Sequence, residues 1–261
     1  MATDANDSTP TPEQAAAPPP EQEIARRTRR SFMVLGAGAV AGIGGWHWLN
    51  SGDDAGIPPS LRKVLGFNER VVRATLYSND HLVKTYPASA VGFLKDNGDI
   101  GLDDDVDEDA WRLQVTPFGA AKPASSLTLA DIRTLPRYEQ TIDFKCVEGW
   151  SVVTQFAGAR LSDFTAKFAP GSEKAECVGM KTPDAQYYVG LDMPSALHPQ
   201  TLLAWEMNGA PLTDDHGAPL RLVIPVKYGI KNIKRIGSIE YANTRPNDYW
   251  AERGYDWYAG L

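Results

Sequence analysis

The chain reads as an α+β protein, a single β-rich domain with a few short helices. Two observations predict this. Between Trp111 and Ala242, apolar and polar residues alternate in several short runs, each closed by Gly, Pro or Asn. Helical spacing appears only in short stretches, and no internal repeat is visible.

The domain begins near Ile57. Leu61, Val64 and Leu65 fit a short amphipathic helix behind Pro58 and Pro59, and Asn68 after Gly66 reads as a cap or turn residue. Six acids between Asp103 and Asp109 read as a solvated loop, because Val106 stands where a calcium loop needs its Gly. Trp111, Leu113 and Val115 alternate as a half-buried strand. Thr128 is an N-cap with Asp131 in the first turn, and Leu129, Ile132 and Leu135 form that helix's stripe. Ile142, Phe144 and Cys146 share one face of the next strand, which Gly149 interrupts. Leu161, Phe164 and Phe168 make a short helix behind Ser162 or Asp163, ended by Pro170 and Gly171. Strands follow at Cys177–Met180, Leu202–Met207, Leu220–Val226 and Ile236–Ala242. Asn208-Gly209 marks a two-residue hairpin, and Pro225 sends its strand to an edge or bulge.

Composition narrows the function. A chain of 261 residues, 43% hydrophobic, can bury one substantial core. A formal charge of −7 argues against broad nucleic-acid binding. Two cysteines, Cys146 and Cys177, exclude a disulfide scaffold and a four-thiolate cluster, and leave one disulfide open. The four His form no pair at zincin spacing, which argues against an all-protein zinc site.

The N-terminus divides in three. Residues 1–25 are rich in Pro, Ala, Thr and acids and are expected to stay disordered. Residues 26–50 place Arg26, Arg27, Arg29 and Arg30 before an apolar run, the layout of an export signal. Thr28-Arg29-Arg30-Ser31-Phe32-Met33-Val34 resembles the twin-arginine motif, whose route exports folded proteins to the periplasm. Cleavage near Ala39-Val40-Ala41 and retention as an inner-membrane anchor, with Trp46 and Trp48 at the interface, both fit. Residues 51–59 read as a linker and 60–261 as the domain.

Three polar features stand out in the domain. Cys146 at a strand end is either a small buried apolar residue or a soft metal ligand. His216-Gly217-Ala218-Pro219-Leu220-Arg221 is a turn that can aim a His and an Arg into one cleft, although His216 also fits a simple turn residue. Arg221, Lys227, Lys231, Lys234 and Arg235 form either a solvated loop or a phosphate site. No metal is fully ligated by these groups, so further ligands would have to come with a cofactor.

Cys146-Val147-Glu148-Gly149-Trp150-Ser151 resembles the molybdenum-cysteine segment of the sulfite-oxidase-fold molybdopterin enzymes, nearest the catalytic subunit of bacterial periplasmic methionine-sulfoxide reductase. The likeness continues through Ala196-Leu197-His198-Pro199, Asn208-Gly209, His216 to Pro225, Lys227-Tyr228-Gly229 and Ile233-Lys234. It implies a sulfite-oxidase-type domain binding one molybdenum-molybdopterin (Mo-MPT), with Cys146 as metal ligand and catalytic residue. It also implies cofactor contacts at Asn68, Thr182, His216, Arg221, Asn232, Ile233 and Lys234. Val71 and Val72 stand near where the reductase branch has Tyr-Glu, a departure from the pattern around Asn68.

The implied chemistry is two-electron oxygen-atom transfer. Sulfite oxidizers place Arg just after the ligating Cys, where this chain has Glu148, Gly149 and Trp150. Acidic and aromatic groups there disfavour a small anion. Reduction of an S-oxide is therefore expected, on a small molecule or a protein, with electrons from a membrane redox partner such as a heme-containing subunit. Oxidation of another small molecule and a non-catalytic electron-relay module are the alternatives.

Overall fold

A computed structural model describes residues 20–49, 51, 58–102 and 106–261. The first 19 residues, most of the expected linker and the acids at 103–105 lie outside the described residues. The chain forms two compact units, residues 1–51 and 52–261.

Among the described residues the first unit holds one helix, α1 (Pro20–Leu49), which reaches into the segment expected to lack structure. Its part Ala25–Leu49 is long and apolar enough to cross a membrane by length and composition. At 1.5 Å per residue those 25 residues span ~37 Å, more than the ~30 Å hydrocarbon core.

The second unit opens with α2 (Pro59–Thr75). It is longer than the pattern Leu61–Leu65 predicts, and Asn68 lies inside it rather than in a turn. The reason is tertiary: Glu69 is buried and takes Arg245 and Arg73 as partners, which outweighs the weak propensity of Gly66 and Asn68.

Two five-stranded sheets follow. The first is built from β1 (Leu113–Thr116), β2 (Ser125–Leu127), β5 (Cys177–Lys181), β6 (Tyr188–Asp192) and β10 (Ser238–Ala242). Its order is β2-β1-β10-β5-β6, and only β1 and β10 run parallel. The second contains β3 (Tyr138–Lys145), β4 (Ser151–Arg160), β7 (Leu202–Met207) and β8 (Ala210–Pro211) in that order, with β9 (Arg221–Val223) pairing β7. Among the described residues three short α-helices join these sheets: α3 (Leu129–Arg133), α4 (Leu161–Phe168) and α5 (Met193–Ala196). The α+β class read from the sequence is the class observed.

Local signals explain most boundaries. Thr128 and Asp131 form a reciprocal capping box on α3. Asn208 (φ 51°) and Gly209 (φ 79°) take the left-handed conformations that a tight hairpin between β7 and β8 needs. The cap of α4 is Arg160, not Ser162 or Asp163, because β4 runs straight into the helix. The strand expected over Leu220–Val226 is confined to Arg221–Val223, ending before Pro225.

One apolar core joins both sheets, with Leu113, Val178, Met180 and Ile239 of the first and Leu203, Trp205 and Leu222 of the second. Ile142, Phe144, Phe156, Leu202 and Val223 form another core on the second sheet. That sheet is thus apolar on both faces, and β4 shows continuous rather than alternating burial. Gly158 is required in β4, since a Cβ there would lie 2.0 Å from the Leu203 carbonyl oxygen.

Candidate functional site

The hairpin of β3 and β4 presents Cys146. The Cys146 amide donates to the Trp150 carbonyl (2.9 Å), the Gly149 amide donates to the Cys146 carbonyl (3.2 Å), and Gly149 has φ 88°. The tight tip aims the thiol into a cleft enclosing about 970 Å³, open mouth included. Cys146 and Cys177 are both free, so the disulfide the sequence leaves open is not formed. Cys177 is buried in β5, and burial pushes its thiol pKa up.

The cleft gathers Cys146, His216, Arg221, Asn232 and Lys234, distant in sequence. Arg221 leaves β9 as a buried side chain. Its Nη1 donates to the His216 carbonyl (3.0 Å), its guanidinium lies 5.2 Å from the Phe156 ring centre, and its Nε has no hydrogen-bond partner among the described residues. Burial lowers its pKa to about 10. Lys234 Nζ donates to the Gly98 carbonyl (2.9 Å), and burial, then the Arg221 charge, lower its pKa to about 8. Burial and then Arg221 also lower that of His216, whose Nε2 lies 3.3 Å from Asp96 Oδ1. Gly217 (φ 93°) lets the His216 turn approach this loop, because a Cβ there would stand 2.6 Å from Lys234 Cβ.

Asn232 uses its amide to shape the loop: Oδ1 accepts from the Ile224 amide (2.8 Å) and Nδ2 donates to the Tyr228 carbonyl (3.1 Å). Three other cations of the basic run are neither solvated nor in the cleft. Lys227 Nζ lies 3.0 Å from Asp192 Oδ1, Lys231 pairs with Asp248, and Arg235 Nη2 meets Asp214 Oδ1 at 2.9 Å. They hold the loop to the domain from within.

Other expected contacts do not line the cleft. Asn68 is exposed on α2. Ile233 is a core residue whose carbonyl accepts from the Leu222 amide. Thr182 is buried and hydrogen-bonded to Asp184 and Tyr187. An asparagine the sequence did not single out stands at the thiol instead: Asn97 Nδ2 lies 3.7 Å from Cys146 Sγ. Its signal was Asn97-Gly98 after the apolar Phe93-Leu94, which reads as an ordinary turn.

The rim differs from the floor. Glu148 is exposed and accepts from Trp150 Nε1 (2.8 Å), while Lys95 Nζ sits 3.9 Å from Glu148 and 4.7 Å from the Trp150 ring centre. Trp150, Tyr187, Trp250 and Tyr255 add aromatic wall.

A thiol and an unneutralised buried guanidinium in one cleft suit a group that carries both a soft metal and a phosphate. Residues 100–250 match the family described as the oxidoreductase molybdopterin binding domain. The chain belongs to that family. It is a molybdopterin-dependent oxidoreductase. It is also similar to three curated proteins. The candidate protein-methionine-sulfoxide reductase subunit YedZ1 of Azospira oryzae is 33% identical over 80% of this chain and 79% of that protein. The protein-methionine-sulfoxide reductase catalytic subunit MsrP of Campylobacter jejuni is 30% identical over 90% of this chain and 81% of that one. MsrP of Xanthomonas axonopodis pv. citri is 30% identical over 88% and 74%.

Proposed function

We propose that this oxidoreductase reduces S-oxides, methionine sulfoxide among them, with electrons from a membrane redox subunit. The observation that carries the reading is the division of the cleft, with its buried cation on the floor and an aromatic rim beside Cys146 in which Glu148 is paired with Lys95. The relatives' names support the same substrate class.

Bound molybdopterin supplies a molybdenum centre able to exchange an oxygen atom and two electrons with a substrate. Cys146 holds the metal through its thiolate. Asn97, whose Nδ2 is 3.7 Å from Sγ, places an amide dipole against the sulfur's negative charge. Arg221 and Lys234 would take the phosphate, whose charge offsets the burial and, after it, the Arg221 repulsion that lower the Lys234 pKa. His216 holds the pterin, and Asn232 keeps the loop in register. At the rim, Trp150, Trp250 and Tyr255 provide apolar surface for the alkyl arms of a sulfoxide and exclude water. Glu148 pairs with Lys95, so the rim offers a dianion such as sulfite no unpaired cation there. Reduction of R₂SO with two electrons and two protons yields R₂S and water.

The twin-arginine pattern and α1 support action in the periplasm, with α1 as a signal or an inner-membrane anchor.

The test is turnover by fully metallated protein with a reduced dye and a panel of sulfoxides, free and in peptides, with sulfite oxidation in parallel. Sulfoxide-dependent dye oxidation is expected. Inertness toward every sulfoxide, or sulfite as the better substrate, refutes the reading.

A further inference from the structure

We propose that the outward face of α2 docks onto a lipid bilayer bearing anionic headgroups. A surface helix normally turns its apolar stripe toward the core; α2 does the reverse. Its inward face carries Glu69, which is 4% exposed and bound by Arg245 at 2.5 Å and Arg73 at 3.3 Å. On the same side Arg62 donates to the Ala251 carbonyl. The outward residues Leu61, Val64, Phe67 and Val71 are 44, 52, 57 and 42% exposed. At 100° per residue they fall within an arc of ~120°, one continuous apolar stripe.

Charge and connectivity select the occupant. Lys63 and Arg70 are exposed beside the stripe, and α2 as a whole has four basic residues against the single acid Glu69, which is buried and paired. A basic helix on a chain of net charge −7 is complementary to an anionic surface. Apolar residues flanked by Lys and Arg are the composition of a helix lying in the membrane interface. Nine residues separate Leu49, where the span-length helix ends, from Pro59, and such a chain reaches at most ~32 Å. Whatever membrane holds the end of α1 is within reach of α2. The proposal is independent of the substrate.

The full chain is reconstituted in vesicles of phosphatidylcholine with phosphatidylglycerol, and in phosphatidylcholine alone. It carries a spin label at Phe67→Cys or, separately, Val71→Cys. Both sites are exposed, so folding is not at stake, and the native thiols are buried. A label at exposed Lys174→Cys is the aqueous reference. In phosphatidylglycerol vesicles the α2 labels are expected to lose collisions with a water-soluble nickel complex and gain them with oxygen, while the reference stays in water. Lys63→Glu with Arg70→Glu is expected to return the α2 labels to water. Labels as water-accessible as the reference on both vesicle types overturn the proposal. So does shielding seen only in native membranes, which assigns the face to a protein partner, or shielding that tracks protein concentration without lipid, which assigns it to a second copy.

Discussion

Replacing Arg221 by Met should make the cofactor-free protein no less stable, and often more, while emptying it of cofactor. The guanidinium is buried, and burial lowers its pKa from the ordinary guanidinium range to about 10. At 1.36 kcal/mol per unit, holding that charge costs the folded state about 3 kcal/mol. The sign follows from linkage: the unfolded chain keeps its proton to higher pH, so the penalty is constant below about pH 10 and relaxes only as pH rises from there toward the ordinary guanidinium range. Met removes the penalty and most of the volume change. It also removes the bond to the His216 carbonyl, worth about 1.5–3 kcal/mol for a charged donor. The balance is about 0–1.5 kcal/mol in favour of R221M. Losing a buried charged partner of phosphate costs binding about 2–5 kcal/mol, or about thirtyfold to several thousandfold in cofactor affinity. The assay pairs denaturant unfolding of cofactor-free proteins with molybdenum content of proteins purified under cofactor-replete conditions. A cofactor-free R221M destabilised by about 3 kcal/mol or more, with full molybdenum, would refute a cation kept for an anionic ligand.

Three further outcomes are expected. Cys146→Ser should lose molybdenum in metal analysis yet melt within a few degrees of the parent, because a hydroxyl fits the hairpin tip but is a poor ligand for a soft metal. Lys234→Met should melt higher than the parent in cofactor-free form below about pH 8, and the gap should close as pH rises from 8 toward 10.5. In that window the unfolded lysine still holds a proton that the folded one has released, so the parent regains stability; a gap that widens with pH would contradict the lowering by burial and by the Arg221 charge. Gly158→Ala forces a Cβ to within 2.0 Å of the Leu203 carbonyl oxygen. Overpacking of about 3 kcal/mol, or about 6–12 °C in Tm for a domain of this size, should show in calorimetry, and an unchanged Tm would dismiss the close approach.

Sequence reasoning reached the residues whose place depends on short-range pattern. Alternation along Ile142, Phe144 and Cys146 put the thiol at a strand end, and the turn from His216 to Arg221 put both side chains in one cleft. It failed where a neighbour distant in the chain decides. β4 shows no alternation because the second sheet is packed on both faces. Asn97 meets Cys146 across 49 residues, from a segment that reads as a turn. Asn68 follows Gly66 like a cap, yet Glu69, held by Arg245 from 176 residues away, keeps that segment helical.

The basic run carries the same lesson in its charges. Lys227, Lys231, Lys234, Arg235 and Arg221 look equivalent in the sequence, five cations with one apparent purpose. In the fold, Asp192, Asp248 and Asp214 neutralise three of them. Arg221 is as deeply buried as those three, and the chain is acidic enough to have supplied it a carboxylate. It receives a backbone carbonyl and two aromatic rings instead. A buried charge without a counter-charge is costly to keep, and this one opens into the cleft that holds Cys146. Met or Leu would serve the core there better unless an anion returns to the site. The phosphate of molybdopterin would be such an anion, and the seat we propose for it is Arg221, which with the half-buried Lys234 beside it is left without a carboxylate partner among the described residues.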